Sequence, residues 1–117
     1  MAAKFIYTLD NRLINLNNIS NISPVFEPDG GWSIVAYSLQ DETHTLFSGQ
    51  NYPWDSKNND VLDYINQNKS DENLIMTDAC MYALVECMND DQIGNTVIEW
   101  TSIACAAEDI IRKDNSL

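Results

Sequence analysis

Apolar and polar residues alternate at short period through the first half of the chain and recur at helical spacing through the second. Residues 4–9 (KFIYTL) form a β-rich run, Asp10-Asn11-Arg12 suits a hairpin turn, and residues 13–16 (LINL) suit a second strand. Asn17-Asn18 then bends the chain and Ser23-Pro24 breaks it. Asp29-Gly30-Gly31 is a strong turn signal. Residues 32–39 (WSIVAYSL) follow as a central strand, with Trp32, Ile34, Ala36 and Ser38 on one face. Gln40-Asp41-Glu42 leads into residues 43–47 (THTLF), which end at Ser48-Gly49. Four strands joined by tight turns predict an antiparallel meander.

Beyond this point the pattern changes. Asn51-Tyr52-Pro53-Trp54-Asp55 is a loop, and Ser56 or Asn59 can cap a short helix through Asn66. Val61, Leu62 and Ile65 give that helix an apolar stripe, with Asp60 and Asp63 beside it. Residues 69–73 are a polar break. Thr77 is a good N-cap for a helix over 78–89, whose face is Met81, Leu84, Val85 and Met88. Residues 90–95 end it. Thr96-x-x-Glu99 fits a capping box for a last helix carrying Val97, Trp100, Ala104, Ala107 and Ile111, with Arg112 and Lys113 complementing the dipole of its final turn. The β propensity of Val-Ile-Glu-Trp supports a rival parse, a strand over 96–100 and a helix from Thr101 or Ser102. The fold class expected is α+β in a single domain, 1–117. A small antiparallel sheet of about four strands occupies the N-terminal half and two or three helices of the C-terminal half cover one face. The expected core is Trp32, Ile34, Leu62, Ile65, Leu84, Val85, Trp100, Ala104 and Ile111.

Charge changes this picture most. Eighteen Asp and Glu against six Lys and Arg leave 18 − 6 = 12 net negative charges. Such a field repels nucleic acid and anionic membranes and attracts basic protein surfaces over about a Debye length, roughly 8–10 Å. The acids are dispersed in the sequence, and hydrophobic content of 44% is too high for a disordered acidic tail. Solubility alone is the simpler account of the charge. No basic n-region with an apolar stretch opens the sequence and no window approaches a membrane span, so a cytoplasmic protein is expected. The sequons at Asn18, Asn21 and Asn68 are then chance products of an Asn-rich sequence. Cys80, Cys87 and Cys105 are odd in number and in apolar company, which predicts free, buried thiols in a reducing compartment.

No residue pattern points to catalysis. His44 is the single histidine, in a strand between two threonines, and an exposed strand histidine is the better reading. Cys80 and Cys87 are seven apart and share a helix face with Leu84, a spacing that suits core residues rather than zinc ligands. Asp90-Asp91-Gln92-Ile93-Gly94 lacks the ligand order of a calcium loop. Asp29-Gly30-Gly31 precedes a strand instead of opening a helix and puts an acid where a phosphate would approach. Neither metal nor cofactor is expected.

The remaining constellation is the aromatic and acidic loop over 50–56. Either Trp54 folds back as a lid over the core, or Tyr52 and Trp54 are anchors for a partner, ringed by Asp55, Asp60 and Asp63. Asp71-Glu72 and Asp90-Asp91 are the other places where surface acids could cluster. The function expected is a non-enzymatic inhibitor that binds a protein with a basic, nucleic-acid-binding surface, by steric block or by mimicry of nucleic acid. Phage-encoded antagonists of bacterial defence, anti-CRISPR proteins among them, share this size and charge, and no motif is matched. An immunity protein neutralising a cognate toxin is the alternative, and a small enzyme with a carboxylate site the second alternative. A homodimer through the Met-rich run 76–88 is a further option.

Overall fold

The structure is a computed structural model, and it describes residues 4–52, 59–89 and 97–117. Among the described residues, six strands and three α-helices make an α+β fold, with strands mainly in the N-terminal half and helices in the C-terminal half. The strands form two small sheets instead of one four-stranded sheet. In the first, β1 (Phe5–Tyr7) lies between β2 (Leu13–Asn15), antiparallel to it, and β6 (Val97–Ile98), parallel to it. In the second, β4 (Trp32–Ser38) lies between β3 (Ile19–Phe26) and β5 (Thr43–Ser48), all antiparallel. A hydrogen bond from the Leu9 amide to the Thr45 carbonyl, 2.8 Å, joins the two.

All three hairpins have one geometry. Thr8, Glu27 and Ser38 each accept an amide three residues on, from Asn11, Gly30 and Asp41, and each donates to the carbonyl four residues on. Asn11 (φ 65°), Gly30 (φ 92°) and Asp41 (φ 64°) occupy the left-handed position, as expected of three-residue loops closed by a glycine-type bulge. Asn, Gly and Asp are the residues that tolerate this conformation. Side chains lock the loops. Thr8 Oγ1 accepts the Arg12 amide at 2.9 Å, Asp29 Oδ1 the Gly31 amide at 3.1 Å, and Ser38 Oγ the Glu42 amide at 3.0 Å.

β3 runs straight through Ser23-Pro24, where a break was expected. The hairpin closes on the Glu27–Gly31 pair, so the alternation of an antiparallel ladder places Pro24, paired with Ile34, where its backbone faces away from β4. The missing N–H therefore costs no ladder bond, and β3 is an edge strand where proline is admissible. A register shift between Ile19 and Asn21 further interrupts this edge.

The helices are α1 (Asn59–Gln67), α2 (Glu72–Asn89) and α3 (Trp100–Asp114), with a 3-10 turn, Lys69–Asp71, between the first two. α2 begins six residues before the expected start at 78. Thr77 is not its cap but an interior residue, its hydroxyl donating back to the Asn73 carbonyl at 2.8 Å. A helix-capping residue type at an interior site misplaced the boundary. Lys4 Nζ donates to the last carbonyls of α2, Cys87 (3.0 Å) and Met88, which fastens β1 to the negative end of that helix. The rival parse of the C-terminal segment holds in its strand-then-helix order but not in its bounds, since only Val97–Ile98 is strand and Trp100 already opens the helix. Glu99 is its N-cap residue, with no side-chain capping bond, and Thr96 lies outside the described residues. Pairing with β1 and burial of Ile98 override the helical reading of that tetrapeptide.

The core is a layer between the helices and the inner face of β4, where Trp32, Ile34 and Ala36 are buried against Val61, Ile65, Met76, Leu84, Ile103, Ala107 and Ile111. Buried alanines on both helices (Ala79 and Ala83; Ala104 and Ala107) allow α2 and α3 to approach closely. Extents of 40 × 35 × 20 Å match two layers. An aromatic run, Tyr52–Trp32–Phe47–Trp100, crosses the core edge-to-face with centroids 6.3, 5.8 and 4.0 Å apart. Gly49 makes it fit, because a Cβ there would lie 2.6 Å from Trp32 Nε1. Three expected core residues differ. Leu62 and Val85 are exposed and Trp100 is half-buried. On α1 the pair Val61/Ile65 faces inward and Leu62 sits a rotation of about 100° away; on α2 the buried line runs through Met76, Cys80 and Ala83, leaving Val85 on the opposite side.

Candidate protein-interaction face

The structure removes Tyr52 of the aromatic-acidic loop from the role of anchor. Tyr52 is buried, and its hydroxyl donates to the Ala104 carbonyl at 3.1 Å and to Glu108 Oε2 at 3.4 Å. It is a core residue, which corrects the reading of it as a partner contact; Trp54 and Asp55 lie outside the described residues. Burial, with Cys80 and Glu108 nearby, pushes the Tyr52 phenol above its ordinary value, and burial with Glu108 pushes the Cys80 thiol up to about 12. Glu108 itself is fully buried in α3. The periodicity of 100–114 could not show this, because a Glu at one inward position does not disturb an otherwise apolar stripe.

The acids predicted on the helices are placed differently from one another. Asp60 takes a forked contact from Arg112 of α3, Nε to Oδ2 at 3.0 Å, and Arg112 also reaches Asp109 at 2.8 Å. The guanidinium holds the Asp60 carboxyl below the usual range. This acid is therefore compensated and ties α1 to α3. Asp63 is exposed on α1, Asp71 is exposed in the 3-10 turn, and Glu72 is half-buried in the first turn of α2, where it suits the helix dipole. The Asn73 side chain donates to the Gly30 carbonyl, which sets Asp71 and Glu72 beside the Glu27–Asp29 hairpin. Asp90 and Asp91 lie outside the described residues. Carboxylates also sit on all three hairpin turns: Asp10; Glu27 and Asp29; Asp41 and Glu42.

His44 is largely covered rather than exposed, its Nε2 3.6 Å from Glu42 in a cleft with Asp10 and Arg12. A hydrogen bond from Thr8, reinforced by Arg12 and His44, keeps the Asp10 carboxyl below its ordinary value. Cys80 is buried and Cys87 half-buried on one helix face, as expected, whereas Cys105 is exposed. The described residues include no group of three or more His, Cys, Asp or Glu able to hold a metal, and none of their helices is long and apolar enough to cross a membrane.

The outer face of α2, which the apolar run 76–88 anticipates only in part, is broader than the sequence suggests. This helix has apolar residues almost all the way round, with Glu72, Asp78 and Glu86 and no Lys or Arg. Its outward side leaves Tyr82 67%, Leu74 57% and Val85 49% exposed. Two grooves flank it. Towards α3, a cavity of about 520 Å³ is lined by Tyr82, Glu86, Ala106, Ile110 and three charged residues of the last turns. Towards β3, a smaller one of about 260 Å³ is almost wholly apolar, walled by Ile19, Ile22, Met81, Val85 and Met88. The signal available in the sequence was the lack of a polar face over 72–89, since a helix apolar all round is expected to be covered on every side.

The chain matches no protein-family model, no curated protein and no solved structure.

Proposed function

We propose that this protein is a non-catalytic binding module that docks on a basic protein surface and acts as an inhibitor by occupying it, the natural target being a nucleic-acid-binding site of another protein. The observation that carries the reading is the composition of α1 and α2. Besides Asp60, which Arg112 compensates, they hold Asp63, Glu72, Asp78 and Glu86 without one basic side chain, while α2 keeps large apolar groups in solvent. Acids around exposed aromatic and aliphatic groups supply both parts of an interface, long-range attraction and a surface to desolvate. Carboxylates on the hairpin turns extend the negative field beyond this face, so occupancy of a basic groove is favoured over phosphate-by-phosphate mimicry.

The test begins with capture of partners from host extract on the immobilised protein, followed by affinity measurement with the purified partner. Binding should weaken about tenfold or more between 50 and 200 mM salt, and nucleic acid should compete. Charge-neutral variants D63N, D78N and E86Q should weaken it further without unfolding the chain, because all three side chains are exposed. An affinity indifferent to salt and to these substitutions removes the proposal.

A further inference from the structure

The apolar valley between α2 and the edge strand β3 has a shape and a chemistry of its own. Ile19 and Ile22 form one wall, Met81, Val85 and Met88 the other, and Leu84 lies among the lining residues. Methionine side chains adapt their shape to a guest more readily than branched ones. Along α2 the positions Leu74, Met81, Val85 and Met88 fall at intervals of seven, four and three, a seam of the kind one helix offers another.

Three observations select the occupant. First, an added β-strand is disfavoured, because Pro24 removes an outward donor from the β3 edge and the irregularity at Ile19–Asn21 interrupts its register. Second, a second copy of this chain is disfavoured, because pairing two α2 faces would bring the exposed Asp78 of each copy onto a contact between molecules of net charge −12. Third, Asp78 shares the outer face with Val85 on a helix without a basic residue, and Glu86 borders the neighbouring groove towards α3, so the complement is apolar on one side and cationic at its margin. We infer that the α2–β3 valley receives an amphipathic, Lys/Arg-bearing helix of the partner protein, apolar face down, in the helix-in-groove manner. This rests on the binding reading above and adds the anchor that gives it specificity: the acids attract, and the valley selects for helical order.

The test uses three probes of equal charge: an 18-residue Leu/Lys peptide with helical periodicity, the same composition scrambled so that no apolar face forms, and oligolysine. Titration into the full-length protein is followed by methyl NMR of Met81, Val85 and Met88. The periodic peptide should bind about tenfold tighter than the scrambled one and shift those methyls first. Val85→Ser, at an exposed position that leaves the fold intact, should weaken the periodic peptide about fivefold and leave oligolysine unchanged. D78N/E86Q should weaken all three. Equal binding of the three probes, with V85S silent, overturns the valley while leaving the acidic-surface reading in place. Failure of all three to bind overturns both. Sedimentation showing that the unliganded protein is a dimer that V85S dissociates would assign the valley to a second copy, and also overturns the inference.

Discussion

Tyr52 belongs to two systems at once, the aromatic run with Trp32 and the polar node with Ala104 and Glu108. Tyr52→Phe keeps the first and removes a donor from the second, so it should cost about 1–3 kcal/mol in denaturant unfolding; a variant as stable as the parent would deny the node a structural role. Its neighbour Cys80 sets an alkaline limit. The unfolded thiol ionises near 9.0 and the folded one holds its proton to about 12, so the unfolded chain releases protons first as pH rises. Stability is therefore full below about pH 9 and declines towards 12, the raised Tyr52 phenol adding to the loss above its ordinary value. Urea midpoints measured over this range should fall, and Cys80→Ala should flatten the decline. None of this was legible in the segment around Tyr-Pro-Trp. Aromatic side chains carry the same signature as core packing and as interface anchors, and the choice is made by residues far away in sequence, here Ala104 and Glu108.

Turns were the most legible elements, because their conformation is imposed by local sterics. Asn11, Gly30 and Asp41 stand at the left-handed position of the three hairpins, and these turns were readable as such. Replacing Asp41 by Gly should relieve residual strain and stabilise the protein by about 0.5–1 kcal/mol, and Gly30→Ala should cost about 1 kcal/mol or more. Thermal unfolding distinguishes these outcomes from no effect. Elements defined by distant partners were harder to read. β3 was missed because Pro24 breaks a central strand and is tolerated on an edge, and sequence does not say which strand is the edge. β6 is two residues long and exists because β1 is there to receive it. The early start of α2 was hidden by Thr77, and with it Leu74, so the exposed seam of that helix had no visible beginning. Lys4→Gln should fray the far end of the same helix, seen as faster amide exchange around 86–89, since the lysine holds the Cys87 and Met88 carbonyls.

For the molecule as a whole, surplus charge and thinness act together. Twelve uncompensated negative charges on a body 20 Å deep repel one another across the core as well as along the surface. Raising salt from about 10 to 200 mM should therefore raise the melting temperature, while an unchanged or lower value would mean that the ion pairs of Arg112 outweigh the repulsion. The small parallel contact of β1 with β6 has a kinetic consequence. Phe5 pairs with Val97 across most of the sequence, whereas β3, β4 and β5 pair with immediate neighbours. Loop-closure entropy makes the β1–β6 pairing the late event, so in pulse-labelled refolding the amides of the meander and of the β1–β2 hairpin should gain protection before those of Val97 and Ile98. A nascent chain would carry its finished hairpins while the outer side of its first strand still waits for β6.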